Sequence, residues 1–378
     1  MKILFQSRLD LFDKRGGDTI QMLETKVSLE KLGIAVDINC SLNLDVSSYD
    51  IVHIFNLDWV CETYPQIYNA KKQGKKVILS PIHHSQEEFE RYENKSRYGL
   101  MKLGNFLIPN QPLREEARNL VKGIIYPKKL KPAVKQLLMG IRRQQKESIE
   151  MSDYILVQTN LEAKDLKKDF GVPDFKWVKV VNGIDGSKFK GQSSKVKIKS
   201  KRSKVILCVG RVEPRKNQLN LIKAFKRLED KEVKLIFVGA LNKYHPTYIN
   251  KFLTEVKMSK GTIIYRGFVE QSKLCELYSS ATVFACPSWF ETTGLVYLEA
   301  AVCDVSSIVA SGERAKEYLG NSAIYCDPGS VESIKDSLEV ALQKETVKGG
   351  FADLIKKTYT WDECAKQTLT VYKELVNN

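Results

Sequence analysis

Long apolar runs are missing from this 378-residue chain, and no stretch approaches the roughly 18 residues that a membrane-spanning helix needs. Met1-Lys2-Ile3-Leu4-Phe5 gives way at once to Gln6-Ser7-Arg8, too short for the core of a signal peptide. Both absences predict a cytoplasmic protein. The eight cysteines (40, 61, 208, 275, 286, 303, 326 and 364) form no Cys-x-x-Cys and do not cluster with histidine. That favours buried free thiols over a zinc site or a disulfide framework. Histidine is scarce, at positions 53, 83, 84 and 245 only, and no Asp-x-Asp that would hold manganese occurs. Helix-turn-helix, RNA-recognition and zinc-finger signatures are absent, and the aromatics are not interleaved with the basic runs as stacking platforms. No nucleic-acid partner is therefore expected.

What is abundant is positive charge: 60 Lys and Arg against 45 Asp and Glu give +15. The excess is local. Residues 94–146 hold 13 basic and two acidic residues, net +11, and residues 186–205 hold eight basic and no acidic ones, net +8, which leaves −4 elsewhere. The second run is rich in Ser and Lys and poor in apolar residues, as a solvated linker is, and marks a domain boundary. Within the first run, Pro132 to Glu150 reads as one helix with Val134, Leu137, Leu138 and Ile141 on a face surrounded by Lys135, Arg142, Arg143 and Lys146. Two readings stay open for it. One is a helix lying on an anionic membrane surface, with the protein peripheral on the inner membrane face; the other is an ordinary domain helix with a solvated basic face.

Short β-branched runs recur on both sides of the linker: Lys2 to Phe5, Val36 to Cys40, Ile51 to Phe55, Lys76 to Leu79, Tyr154 to Gln158 and Val178 to Val181, then Val205 to Val209, Val233 to Val238, Thr262 to Tyr265, Thr282 to Ala285, Ser307 to Ala310 and Ala323 to Tyr325. Most are continuous rather than alternating, with helical patterns such as Gln21 to Leu32 and Asn217 to Leu228 between them, the pattern of parallel strands buried on both faces. The expected fold class is α/β, with two doubly wound, Rossmann-like domains facing a cleft and ligands at the carboxyl ends of the strands. The expected limits are 1–185 for the first domain, 186–204 for the basic linker, 205–360 for the second domain and 361–378 for a final helix.

Two segments carry chemistry. In Val205-Ile-Leu-Cys-Val-Gly-Arg-Val-Glu-Pro-Arg-Lys-Asn, a strand ends at Gly210, Arg211 projects from the loop, and Lys216 lies near a helix start suited by Pro214 and Asn217. Two cations beside free helix amides suit a diphosphate, although surface charge near a helix end reads equally well. In Ala285-Cys-Pro-Ser-Trp-Phe-Glu291-Thr-Thr-Gly-Leu-Val-Tyr-Leu-Glu299-Ala-Ala, Thr292 and Thr293 read as helix N-caps, with Glu291 ahead of the helix and Glu299 inside it. A carboxylate facing a buried surface needs hydroxyls or cations, which a sugar, a ribose or an internal salt bridge would supply.

These residues resemble a known family. Glu-x-x-Gly-Leu-x-x-x-Glu-Ala preceded by Pro-Ser, together with Gly-Arg-x-x-x-x-Lys, is similar to the GT-B-fold retaining glycosyltransferases of family four. The resemblance extends to Ser152-Asp-Tyr-Ile-Leu-Val-Gln-Thr, Val181-Asn182-Gly183-Ile184-Asp185, Gly267-Phe268 and Tyr359-Thr-Trp361. It implies a nucleotide-sugar donor, UDP- or GDP-linked, a glycan or lipid-linked acceptor, a place in polysaccharide biosynthesis, and no metal or other cofactor. Arg211 and Lys216 would take the donor diphosphate, Glu291 the donor sugar's hydroxyls and Glu299 the ribose. Thr293, Gly294 and Leu295 would border phosphate and sugar, Phe268 the base, and Gly16-Gly17 would close on the donor from the other domain. His83 would contact the sugar, with His84 as the alternative, and the last helix would cross back to the first domain. The chain departs from the family at Thr292-Thr293, where Gly-Phe is common. A sugar-phosphate synthase or a nucleotide-sugar epimerase on the same fold is the enzymatic alternative.

Overall fold

The structure is a computed structural model that describes residues 1–13, 16–96, 108, 110–186, 204–344 and 350–377. Most of the expected linker, 187–203, lies outside the described residues, as do 97–107 and 109 of the first basic run. The chain forms two compact units: one of Met1–Gln86, Leu100–Gly183 and Trp361–Asn378, the other of Glu87–Gly99 and Ile184–Thr360.

Each unit is built on a six-stranded sheet in which every neighbouring pair is parallel. In the first, β1 (Lys2–Gln6), β2 (Ala35–Ile38), β3 (Ile51–Phe55), β4 (Lys76–Ser80), β5 (Tyr154–Val157) and β6 (Trp177–Lys179) lie in the order β2-β1-β3-β4-β5-β6. In the second, β7 (Val205–Val209), β8 (Lys234–Val238), β9 (Ile263–Tyr265), β10 (Val283–Ala285), β11 (Ser307–Ser311) and β12 (Ile324–Cys326) lie in the order β12-β11-β10-β7-β8-β9. All twelve strands coincide with the apolar runs. Every residue of β3 and β7 is buried, which is why those runs do not alternate. The orders reverse direction between β1 and β3 and between β7 and β10, and such switch points open a crevice at the carboxyl ends of the strands.

The helix Trp361–Asn377 closes the first unit, as the family resemblance implied, by packing on Gly17–Lys31. Ser28 donates a 3.1 Å hydrogen bond to Asp362. Tyr372, fully buried, lies 2.6 Å from His53 Nδ1, and Ser80 Oγ lies 2.8 Å from the other ring nitrogen. Burial drives His53 down to a pKa of about 3, so it stays neutral and both ring nitrogens are satisfied. Tyr372→Phe should cost about 1–3 kcal/mol, because one buried ring nitrogen is left without its partner; urea unfolding at neutral pH measures it.

Two local expectations are corrected. The single helix expected from Pro132 to Glu150 is two, Leu130–Met139 and Ile141–Met151, interrupted by Gly140 at φ +85°, where a residue with a side chain would be strained. In addition, the helix Gln86–Ser96, which follows β4 in sequence, packs from Glu87 onward within the second unit. Its Phe89 and Tyr92 rings lie 5.9 Å and 5.5 Å from Phe290, and Arg91 reaches both oxygens of Asp327. All eight cysteines are free, and seven of them are buried.

Candidate active site

The second unit gathers its charged residues at its switch point, where the loops after β7 and β10 meet. After β7 the chain turns at Gly210 and runs through a single 3-10 turn, Pro214–Lys216, before the helix Gln218–Lys226. Proline at the first position of that turn needs no amide hydrogen there. Asn217 precedes the helix, but in the left-handed conformation at φ +59°, and its side chain does not cap it. Instead its amide donates to the carbonyls of Pro287 (3.0 Å) and Pro328 (2.8 Å), tying this loop to those after β10 and β12. The Trp289 peptide N–H, bonded to the Arg215 carbonyl at 2.9 Å, makes a second tie.

These ties bring Glu291 against two cations. Lys216, 9% exposed, donates to one carboxylate oxygen, and Arg215 Nη1 approaches the other at 3.3 Å. Burial alone would raise the Glu291 pKa, but Lys216 and Arg215 outweigh it and hold the carboxyl at about 2. Arg215 also pairs with the buried Glu213 at 3.3 Å and lies over the Phe290 ring. Arg211 remains about half exposed at the mouth of the loop, 3.7 Å from Glu213. The region is therefore a lattice of alternating charges, and Arg211 is the cation most open to an incoming anion.

Glu299 lies in the helix Leu295–Val302, whose N-cap is Gly294 and not Thr292 or Thr293 as expected. Gly294 has φ +71°, and a Cβ there would lie 2.4 Å from the Tyr297 ring, so glycine is required twice over. Thr293 is buried, while Leu295 is half-buried at the first turn. The Glu299 carboxylate accepts from Tyr278 Oη at 3.0 Å and Gln271 Nε2 at 3.3 Å, and the structure gives it no ion pair among the described residues. Hydroxyl and amide donors thus meet it, in place of the internal salt bridge that had stayed open. Burial raises its pKa from 4.5 to about 7. The folded carboxyl holds its proton to a higher pH than the unfolded one, so this group makes the fold less stable as pH rises from 4.5 to 7. Glu299→Gln should flatten that part of the curve. Chemical unfolding at about pH 5 and about pH 8 measures it, and an unchanged difference would assign the slope to other groups.

Phe268 follows Gly267 (φ +70°) in the loop after β9, with its ring 73% exposed. The backbone beneath is anchored, since the Gly239 N–H donates to the Gly267 carbonyl at 2.8 Å.

Residues 190–361 match the family model for glycosyl transferases, group 1. This agrees with the resemblance carried by Arg211, Lys216, Glu291 and Glu299. A 176-residue segment is 30% identical to O-antigen chain mannosyltransferase B of Escherichia coli, covering 45% of this chain and 45% of that protein. The chain spans 45%, 61% and 41% of the length of three curated relatives it matches. Among solved structures, sucrose-phosphate synthase of Thermosynechococcus elongatus aligns over 99% of both chains at TM-score 0.72 with 13% identity. The HepE protein of Anabaena, in complex with UDP, aligns over 99% of this chain and 100% of its own at TM-score 0.71 with 14% identity. The two six-stranded parallel sheets are thus those of the GT-B fold.

Sequence reasoning missed four partners in the second unit: Arg215 beside Glu291, Glu213 beside Arg215, and Tyr278 and Gln271 around Glu299. Arg215 had a signal, being a third cation beside Lys216 in Glu213-Pro-Arg-Lys. Glu213 pairs with Arg215 two residues on, within the same loop, whereas Tyr278 and Gln271 meet Glu299 only when distant segments come together.

The remaining expected site residues belong to the first unit. Gly16 and Gly17 start the helix Gly17–Lys31, after β1. Neither has positive φ, and nothing lies within 4 Å of a Cβ placed on Gly17, so the local backbone does not itself demand glycine there. His83 follows β4 and is 3% exposed, with Asp58 at 3.1 Å from Nδ1 and Asp169 at 2.8 Å from Nε2. Burial opposes its charge, yet the two carboxylates raise its pKa to about 9, so both nitrogens are protonated at neutral pH. To hold a sugar hydroxyl it would have to exchange one of these bonds. His84 beside it is half-buried.

Proposed function

We propose that the protein is a retaining glycosyltransferase that moves a sugar from a UDP- or GDP-linked donor to a hydroxyl of a glycan or lipid-linked acceptor without a metal ion. The observation that carries this reading is the buried Lys216–Glu291–Arg215 cluster at the β7/β10 switch point, with Glu299 in the helix that follows Glu291. A nucleoside diphosphate suits such a place: Arg211 and Lys216 neutralise the phosphates, the N-terminal turn at Gly294 and Leu295 adds amides, and Glu299 accepts from the ribose hydroxyls. Glu291 accepts from the sugar hydroxyls while keeping Lys216 in position.

In the proposed reaction the bond between the anomeric carbon and the diphosphate oxygen breaks, and the acceptor oxygen bonds to the same face of that carbon. The acceptor's proton passes to the leaving diphosphate. Negative charge grows on the diphosphate as the bond breaks, so fixed cations that need not reorganise supply most of the rate enhancement. The absence of Asp-x-Asp from the sequence, with Arg211 and Lys216 beside the phosphates, supports a route in which these cations replace a metal. Gly17, around which a Cβ would meet nothing within 4 Å, suits close approach of donor phosphate to backbone, with Gly16 beside it.

Incubating the full chain with a panel of UDP- and GDP-sugars and analysing the products by mass spectrometry and NMR tests this. Transfer with the anomeric configuration kept, undiminished by a chelator, is expected. A free sugar phosphate or an epimerised nucleotide sugar as the product would replace it with the synthase or epimerase reading.

A further inference from the structure

Two helices of the first unit are turned inside out. In Gln111–Ile125 the buried residues are Glu116 and Gly123, while Leu113, Val121 and Ile124, which share one helical face, are 52%, 55% and 68% exposed. In Leu130–Met139 the buried residues are Pro132, Ala133 and Gln136, while Leu137 and Leu138 are 45% and 82% exposed. Polar groups share the inner side with Gly123, Pro132 and Ala133: Asn119 donates to Gln136 at 2.8 Å, and Glu116 accepts from the Ile141 N–H at 2.7 Å. A domain helix ordinarily does the reverse. No other stretch of similar length among the described residues exposes as many large apolar side chains. Each costs about 25 cal/mol per Å² of apolar surface left in water, and so many exposed apolar side chains on two packed helices mark an interaction surface.

The surroundings of the patch select the partner. Arg118, Lys128 and Lys131 are exposed and form no ion pair among the described residues. The two helices carry only Glu115 and Glu116 as acids, and Glu116 faces inward. Exposed aliphatic side chains on two packed helices, with Lys128 and Lys131 beside them and Arg118 near Glu115 as its only acid on these helices, match an anionic bilayer, which needs no shaped recess. We propose that this helical pair, residues 111–139, is a membrane-docking surface that beds Val121, Ile124, Leu137 and Leu138 among the acyl chains and sets Arg118, Lys128 and Lys131 at anionic headgroups. The pair replaces the stretch 132–150 as the docking element, because Ile141 is buried beyond the break at Gly140.

The docking is independent of the transfer reading, since it is measured without turnover. The full chain is floated with phosphatidylcholine vesicles, with and without phosphatidylglycerol, across a salt series. Binding to the anionic vesicles alone, weakening as salt rises, is expected. Ile124→Asp combined with Leu138→Asp should abolish flotation with an unchanged thermal midpoint, since both side chains are exposed. Lys128→Glu with Lys131→Glu should weaken it at least about tenfold, at roughly fivefold per lost cation. Failure to float at low salt overturns the proposal, as does flotation indifferent to the aspartates. So does a concentration-dependent dimer, seen by sedimentation, that Ile124→Asp dissolves while vesicles stay unbound; the face then belongs to a second copy.

Discussion

Glu291→Gln and Lys216→Ala should each reduce sugar transfer by about 10²–10³ in kcat, the size of effect produced by removing one fixed donor from a site of developing charge. The two substitutions act on one bonded unit from opposite sides. Glutamine keeps the shape of Glu291 but discards the charge that draws Lys216 Nζ and Arg215 Nη1 together. Alanine at 216 removes the proposed phosphate cation and leaves Arg215 as the one cation paired with Glu291 among the described residues. Because the partners are coupled, the double variant should be little worse than either single one. Breaking a buried pair also destabilises, so thermal unfolding is followed in parallel to separate loss of fold from loss of chemistry. Turnover within a few fold of wild type in a folded variant would remove the cluster from the reaction.

A contrast between two glycines should be nearly as large, but in different observables. At Gly239, φ is +142° and a Cβ would sit 2.1 Å from the Gly210 carbonyl oxygen, because the ends of β7 and β8 close on one another. Gly239→Ala should therefore cost about 2–5 kcal/mol, combining backbone strain with overpacking, and lower the thermal midpoint by about 5–15 °C. At Gly17 a Cβ meets nothing within 4 Å and the backbone is already helical. Gly17→Ala should leave stability unchanged or raise it by up to about 1 kcal/mol, yet lower transfer at least about tenfold if donor phosphate approaches this backbone as proposed. Calorimetry and initial rates on the two variants measure both effects. Full activity in Gly17→Ala would take the glycine pair out of the donor site.

The strands were legible from sequence because parallel strands are buried on both faces, and unbroken apolar runs such as Ile51–Phe55 and Val205–Val209 advertise that directly. Glu291, Glu299, Arg211 and Lys216 drew attention because their spacing matches a motif. What failed depended on information from outside the local window. Thr292 and Thr293 look like caps, but the helix starts one residue later at a left-handed glycine held against Tyr297. The apolar periodicity of Pro132 to Glu150 continues through Gly140 and hides the break. The same periodicity revealed that residues 130–139 have an apolar face, yet it could not say that this face points outward, since only the sheet fixes which side is in. Arg215 was passed over because its pairing with Glu291 exists only once the loops after β7 and β10 are joined.

Helix Trp361–Asn377 has one more consequence, in the order of synthesis. Tyr372, which seals His53 beneath the first sheet, is translated after every strand of the second. The first unit cannot complete its interior while it is the only part outside the ribosome; it must wait, with the Gly17–Lys31 surface bare, until the later unit has been made. A nascent chain of this kind should recruit chaperones most strongly midway through translation, and severing it between residues 186 and 204 should yield a first fragment that is insoluble unless the last helix is supplied separately.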